Sequence, residues 1–140
     1  MSYYFSLRSK SIYLELHPDL QKLCDELIKH VNFSITEGHR GDVAQQAAFD
    51  AGLSKARPGQ SKHNTSPSEA VHLLPYPTPG VKDSQAEWRD YAYFAGAVNL
   101  CASMLGIKLR WGGDWNDDMR TVDNKFNDLQ HYELVKDATP

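Results

Sequence analysis

Three observations predict an α+β fold. Apolar residues repeat at helical spacing in long stretches, short runs carry strand patterns, and two long polar loops lead into strands. The expected architecture is a set of helices packed on a small sheet.

The elements follow in chain order. Residues 1–16 show no clear period and are expected to wrap the surface. Pro18 follows His17, and proline suits a first helical turn because its missing N–H would lack a partner there anyway. Leu20, Leu23, Cys24, Leu27, Ile28 and Val31 then recur at three- and four-residue steps, which makes one apolar helix face. Cys24 sits on that face as a buried packing thiol. Phe33 to Glu37 alternates apolar and polar residues, as a half-buried strand does. Gly38 to Gly41 is turn-like. Asp42 is placed as an N-cap, and Val43 to Ala51 reads as a short helix that ends at Gly52.

Residues 53–69 are polar and rich in Ser, Lys, Pro, Asn and Gly, which predicts a long loop. Ala70 to Leu74 is a short apolar run suited to a buried strand, closed by Pro75, Pro77 and Pro79. Gln85 to Leu105 forms a long helix stopped by Gly106, with Trp88, Tyr91 and Phe94 in its packed content. Ile107 to Trp111 reads as a strand, residues 112–130 as a second long polar loop, and His131 to Val135 as a final strand.

Composition bounds the function. A chain of 140 residues is the length of one ordinary domain, and 41% hydrophobic content is enough for a core. The net charge is -3 and no basic run is present, so a nucleic-acid partner is not expected. No apolar stretch approaches the ~20 residues of a membrane span, so membrane insertion is not expected. The first residues lack the apolar centre of a secretory signal. Cys24 and Cys101 make neither a disulfide framework nor a CxxC motif. Six histidines are the compositional hint of chemistry.

Those histidines fall in telling places. Ser61-Lys62-His63-Asn64 lies inside the first long loop, His72 lies on the strand after it, and Asp128-Leu129-Gln130-His131 enters the last strand. A catalytic zinc site takes about three protein ligands and leaves a position for water. Asp128 stands three residues before His131 and can serve as the base if the loop curls around a metal. Spacing alone is a weak signal, because six histidines allow many triplets and a histidine at a strand end is commonly a structural hydrogen-bonding residue.

The run SKHNTSPSEAVHLLPYP resembles the metal-binding signature of the M15 family of VanY-like zinc peptidases: Ser-x-His, a spacer, then Ala-x-Asp. TEGHRGDVAQQAAFDAGLSK upstream, and WGGDW followed by FNDLQHYEL downstream, resemble the same family, as do FSLRS and HPDL at the start. The match is most similar to small phage L-alanyl-D-glutamate endopeptidases. The resemblance implies a small antiparallel sheet with the zinc site at strand starts and long loops. It implies His63, His72 and His131 as positions of the zinc ligands and Asp128 as the acidic catalytic residue. Arg40 and Ser61 match substrate-orienting positions, with Gln45 assisting.

Position 72 departs from the family, which has aspartate there; this chain has His72. Three readings stand. His72 can still bind zinc, because imidazole is a competent ligand and its Nδ1 lies about as far from the backbone as a carboxylate oxygen. It can be too bulky and turn away, leaving two histidines. Or it can be a change that disables or alters the enzyme.

The resemblance implies a zinc-dependent hydrolase of the peptidoglycan stem peptide, cutting between L-alanine and D-glutamate. It fits a monomeric phage endolysin made in the host cytoplasm, which reaches the wall after the membrane is breached. All 140 residues are then one catalytic domain, with no room for a separate wall-binding one. The rivals are a D-alanyl-D-alanine carboxypeptidase and a wall-binding domain whose metal site has decayed at His72.

Weaker signals are few. His17 belongs to a helix entry, His30 to a helix C-terminus, and His39 adjoins Arg40 and is a candidate to face the cleft. Asp114, Asn116 and Asp118 match positions 1, 3 and 5 of a calcium loop, but Met119 and Lys125 stand where glycine and glutamate belong, which rejects an EF-hand. An irregular calcium site and a solvated acidic loop both remain open. Trp111 and Trp115 flank two glycines and serve either a substrate groove or packing.

Overall fold

The structure is a computed structural model that describes residues 3–82, 84–120 and 128–136. Its helices are α1 (Leu7–Tyr13), α2 (Pro18–Leu27), α3 (Asp42–Asp50) and α4 (Gln85–Met104); its strands are β1 (Phe33–Glu37), β2 (Ala70–Pro75), β3 (Leu109–Gly112) and β4 (Asp128–Leu134). A single 3₁₀ turn, Lys62–Asn64, interrupts the first long loop. The strands form one antiparallel sheet in the order β1-β2-β4-β3. The α+β expectation holds.

The sheet buries one face. Ile35, Val71, Leu73, Tyr132, Leu134 and Trp111 join Leu20, Leu23, Cys24 and Leu27 of α2 and Tyr91, Phe94, Ala95 and Val98 of α4 in one apolar cluster. Fully burying a leucine or phenylalanine is worth about 1.5–3 kcal/mol, so this layer drives the fold. Cys24 lies in it fully buried, as its helix face predicts, and burial pushes its thiol pKa up. Strand alternation sends the intervening residues to the other face. Val71 and Leu73 are buried among the helices, while His72 between them points away.

Three details depart from the sequence expectation. The first residues do not simply wrap the surface: Leu7–Tyr13 is helical, and Ser6 caps it by accepting from Ser9 N–H at 3.1 Å. That helix has no apolar stripe to announce it, since Leu7 and Leu14 are exposed and Ser9 is its buried residue. The Ser9 hydroxyl instead accepts from the Ile35 N–H at 3.0 Å and donates to the Ile35 carbonyl at 3.5 Å, on the outer side of the edge strand β1. Further along, Gly41 rather than Asp42 is the N-cap of α3. At the C-terminal end, β4 begins at Asp128 rather than His131. Gly112 makes that earlier start possible: it pairs with Asp128, and a Cβ at Gly112 would lie 2.0 Å from the Asp128 carbonyl oxygen.

His17 caps α2 through Nδ1, which accepts from Asp19 N–H at 3.0 Å. His30 pairs with Glu26 at 3.2 Å. No described helix is long and apolar enough to cross a membrane.

Candidate metal centre

The sheet register builds the site. Glu37 pairs with His72 across β1 and β2, and His72 pairs with His131 across β2 and β4. Residues directly opposite in an antiparallel pair present side chains to the same face. One row across three strands therefore carries a carboxylate and two imidazoles on the face that the helices leave open. The third imidazole comes from the 3₁₀ turn. Ser61 caps that turn by accepting from His63 N–H at 3.1 Å, and Asn64 returns the favour by accepting from Ser61 N–H at 3.1 Å. This reciprocal capping fixes His63 in an otherwise irregular loop.

The three rings converge. His63 Nε2 lies 3.2 Å from His131 Nδ1, which lies 3.4 Å from His72 Nε2. Three ring nitrogens, one from each histidine, fall within 4.8 Å of one another, and among the described residues this is the group able to hold a metal ion. His72 reaches the others with Nε2, not with the Nδ1 expected from an aspartate-like reach; its Nδ1 faces Glu37 Oε1 at 3.9 Å. It has not turned away.

Hydrogen bonds behind the rings fix their tautomers. His63 Nδ1 lies 2.7 Å from the Gly38 carbonyl, and His131 Nε2 lies 2.8 Å from the Glu133 carboxylate. Both partners only accept, so each of those nitrogens carries a proton, which leaves the opposite nitrogen as the one that can offer a lone pair to a metal. Burial above all, then the neighbouring His72 and His131, pulls the His63 pKa down to about 2. The ring is neutral at pH 7, the form a metal ligand needs.

Asp128 opens β4 with Oδ2 at 3.5 Å from His72 Nε2 and 3.9 Å from His131 Nδ1. Burial pushes its carboxyl pKa up, but the hydrogen bond and charge of His72, with His131 and Arg40, outweigh burial and hold it below the usual range. Glu133 behaves alike: burial raises its pKa, and His131, Lys62 and Arg110 lower it further than burial lifts it.

His63, His131, Asp128 and Glu133 line a cleft of about 520 Å³ whose wall also includes Arg40, Ser61, Lys62 and Trp115. Gln45 lies behind that wall, fully buried, with every polar position used. Its Oε1 accepts from Arg40 Nη1 at 2.9 Å and Asn64 Nδ2 at 3.3 Å; its Nε2 donates to Ser54 Oγ at 3.0 Å and Ala56 O at 2.7 Å. Arg40 also pairs with Glu37. The guanidinium is thus clamped at the cleft edge between an amide and a carboxylate.

Sequence reasoning passed over Glu37, Gly38 and Glu133. Glu133 had a signal, an acidic residue two positions past His131 on the same strand face. Gly38 acts through its carbonyl, which no side-chain motif reveals. The two tryptophans divide between their two readings. Trp111 packs, 6% exposed, with Nε1 donating to Leu129 O at 2.9 Å, whereas the Trp115 ring lies 5.3 Å from the His131 ring in the cleft wall. His39 is exposed and outside that wall. In the acidic loop, Asp114 accepts from Asp118 N–H at 3.3 Å and Met119 N–H at 2.8 Å, so both its oxygens serve the turn. Lys125, the mismatched twelfth position of the calcium pattern, lies outside the described residues.

Comparison with known proteins agrees with this architecture. A family model described as phage L-alanyl-D-glutamate peptidase matches residues 1–135. The L-alanyl-D-glutamate peptidase of Escherichia phage T5 is 33% identical over 145 residues, covering 96% of this chain and all of that one. The solved structure of the Serratia marcescens L-Ala D-Glu endopeptidase ChiX superposes with a TM-score of 0.68 at 27% identity, covering 94% of this chain and 90% of that one. On these matches, the chain belongs to the phage L-alanyl-D-glutamate peptidase family.

Proposed function

We propose that this chain is a single-domain, zinc-dependent endopeptidase that cleaves the L-alanyl-D-glutamate bond of the peptidoglycan stem peptide, and that it acts as a phage endolysin on the cell wall. The observation that carries the reading is the convergence of three imidazole nitrogens beside the Asp128 carboxylate in an open cleft. The donor set fits zinc: nitrogen ligands, two of them backed by a carbonyl and a carboxylate as zinc-bound histidines are. His63 through Nε2, His131 through Nδ1 and His72 through Nε2 would hold it. The chemistry zinc supplies when bound is Lewis acidity, which polarises a carbonyl and makes a water more acidic.

The chain's own residues supply the rest. Asp128, ionised at neutral pH, accepts a proton from water and returns it to the leaving amine. Arg40, held by Gln45 and Glu37, offers a fixed cation to a carboxylate of the acidic stem peptide. Gln45 serves substrate through Arg40, and Ser61 serves by holding the turn that carries His63. The wall of the cleft gives Trp115 as an apolar surface along the peptide.

The reading is tested by digesting purified peptidoglycan and identifying the new termini by mass spectrometry. Free D-glutamate amino termini are expected, lost on chelation and restored by zinc. New D-alanine carboxyl termini would instead assign carboxypeptidase activity. Wall binding without turnover in the zinc-loaded chain would overturn catalysis altogether.

A further inference from the structure

Position 72 has lost the negative charge that the family resemblance places there, and the sheet brings another to the same spot. In β1, Ile35 pairs with Leu73, so a regular ladder would set Thr36 opposite His72. The register shifts between Ile35 and Glu37, and Glu37 takes that position instead. A bulge of this kind re-aims a side chain. Thr36 is left to donate its hydroxyl to the His72 carbonyl at 3.4 Å, while the Glu37 carboxylate joins the histidine row.

There Glu37 Oε1 lies 3.9 Å from His72 Nδ1 and 3.9 Å from His63 Nε2. Arg40 pairs with the same oxygen and holds it in place. The other two histidines each have the outward nitrogen anchored, on Gly38 O and on Glu133. Glu37 is the carboxylate that the outward nitrogen of His72 faces, at 3.9 Å rather than the 2.7 and 2.8 Å of those two hydrogen bonds.

We propose that Glu37 is the positioning residue of His72: its carboxylate is the acceptor for a hydrogen bond from Nδ1–H, directs Nε2 to the metal, and restores the negative charge absent from position 72. The proposal rests on the reading of His72 as a ligand. Charge neutralisation follows from the same arrangement. Three neutral imidazoles leave a divalent ion with its full charge, and a carboxylate one ring away offsets part of it.

The test uses zinc alone, in competition with a chromophoric chelator, on the full chain. Glu37→Gln keeps the shape and an acceptor for Arg40 but removes the charge. It is expected to weaken zinc binding about 10–100-fold. In a His72→Asp background, where no ring needs orienting, the same change is expected to shift affinity by less than about threefold. Equal losses in both backgrounds would overturn the proposal, since Glu37 would then act without His72. No loss in either background would overturn it as well. His72→Ala separates this from the reading beneath it. Zinc affinity unchanged in that variant removes His72 from the ligand set, and the proposal with it. A loss in His72→Ala with none in Glu37→Gln overturns the role of Glu37 alone.

Discussion

The two faces of β2 differ in how they tolerate change. Val71 and Leu73 face a layer of side chains from α2, α4 and the neighbouring strands, where many apolar groups share the work. His72, between them, faces a polar row in which each group depends on one or two named partners. Packing spreads its energy over area; the open face concentrates its effect in single distances. Adjacent residues thus answer to different physics, and substitutions should separate stability from chemistry within one strand.

The largest effect is expected on the open face. Asp128→Ala should lower peptidoglycan cleavage by about 10²–10⁴, the usual weight of a general acid–base group, while zinc binding persists. Turnover at the parent rate would move the proton-transfer role elsewhere. Leu73→Ala on the covered face should do the reverse. A destabilisation of about 2–5 kcal/mol is expected in denaturant unfolding, with the zinc stoichiometry of the folded fraction unchanged. A loss of metal without a loss of stability there would break the division between faces.

A smaller effect joins the two faces through pH. In the metal-free chain His63 stays neutral down to about 2 because it is buried, whereas an unfolded histidine takes up a proton near 6.5. Below about pH 6.5 the unfolded state therefore binds the extra proton, and stability falls by up to about 1.4 kcal/mol per pH unit. Asp128 and Glu133 act in a lower window: their pKa values are lowered on folding, so the stability they add is full above the ordinary carboxylate range and is lost only as pH falls through it. Unfolding curves at pH 7 and 5 in the presence of chelator should show the histidine slope, and His63→Asn should flatten it. A slope unchanged by that substitution would assign the proton uptake to another group.

Much of the covered face was legible in the sequence, because apolar periodicity reports directly on burial. The three- and four-residue steps from Leu20 to Leu27 gave α2, and the alternation from Phe33 to Glu37 gave β1. α1 escaped because its apolar contact is small, Ile12 and Tyr13 packing only partly against the core, and a hydroxyl contact from Ser9 adds to them. The histidines at the open face were legible through motif order, and the chain brings His63, His72 and His131 together as that order implied. Their partners were not. Which nitrogen of His72 points inward, and that Glu37 rather than Thr36 stands beside it, depend on strand register and a bulge, which local sequence does not encode.

The contact of Ser9 with Ile35 has a consequence beyond the placement of α1. An outer strand with open N–H and C=O groups is a template on which a second chain can add a strand. By occupying both groups of Ile35, a seven-residue helix takes the middle of this edge strand out of reach of such pairing. A chain shortened by that helix is expected to self-associate at high concentration with its core and histidine cluster untouched, an outcome that light scattering checks.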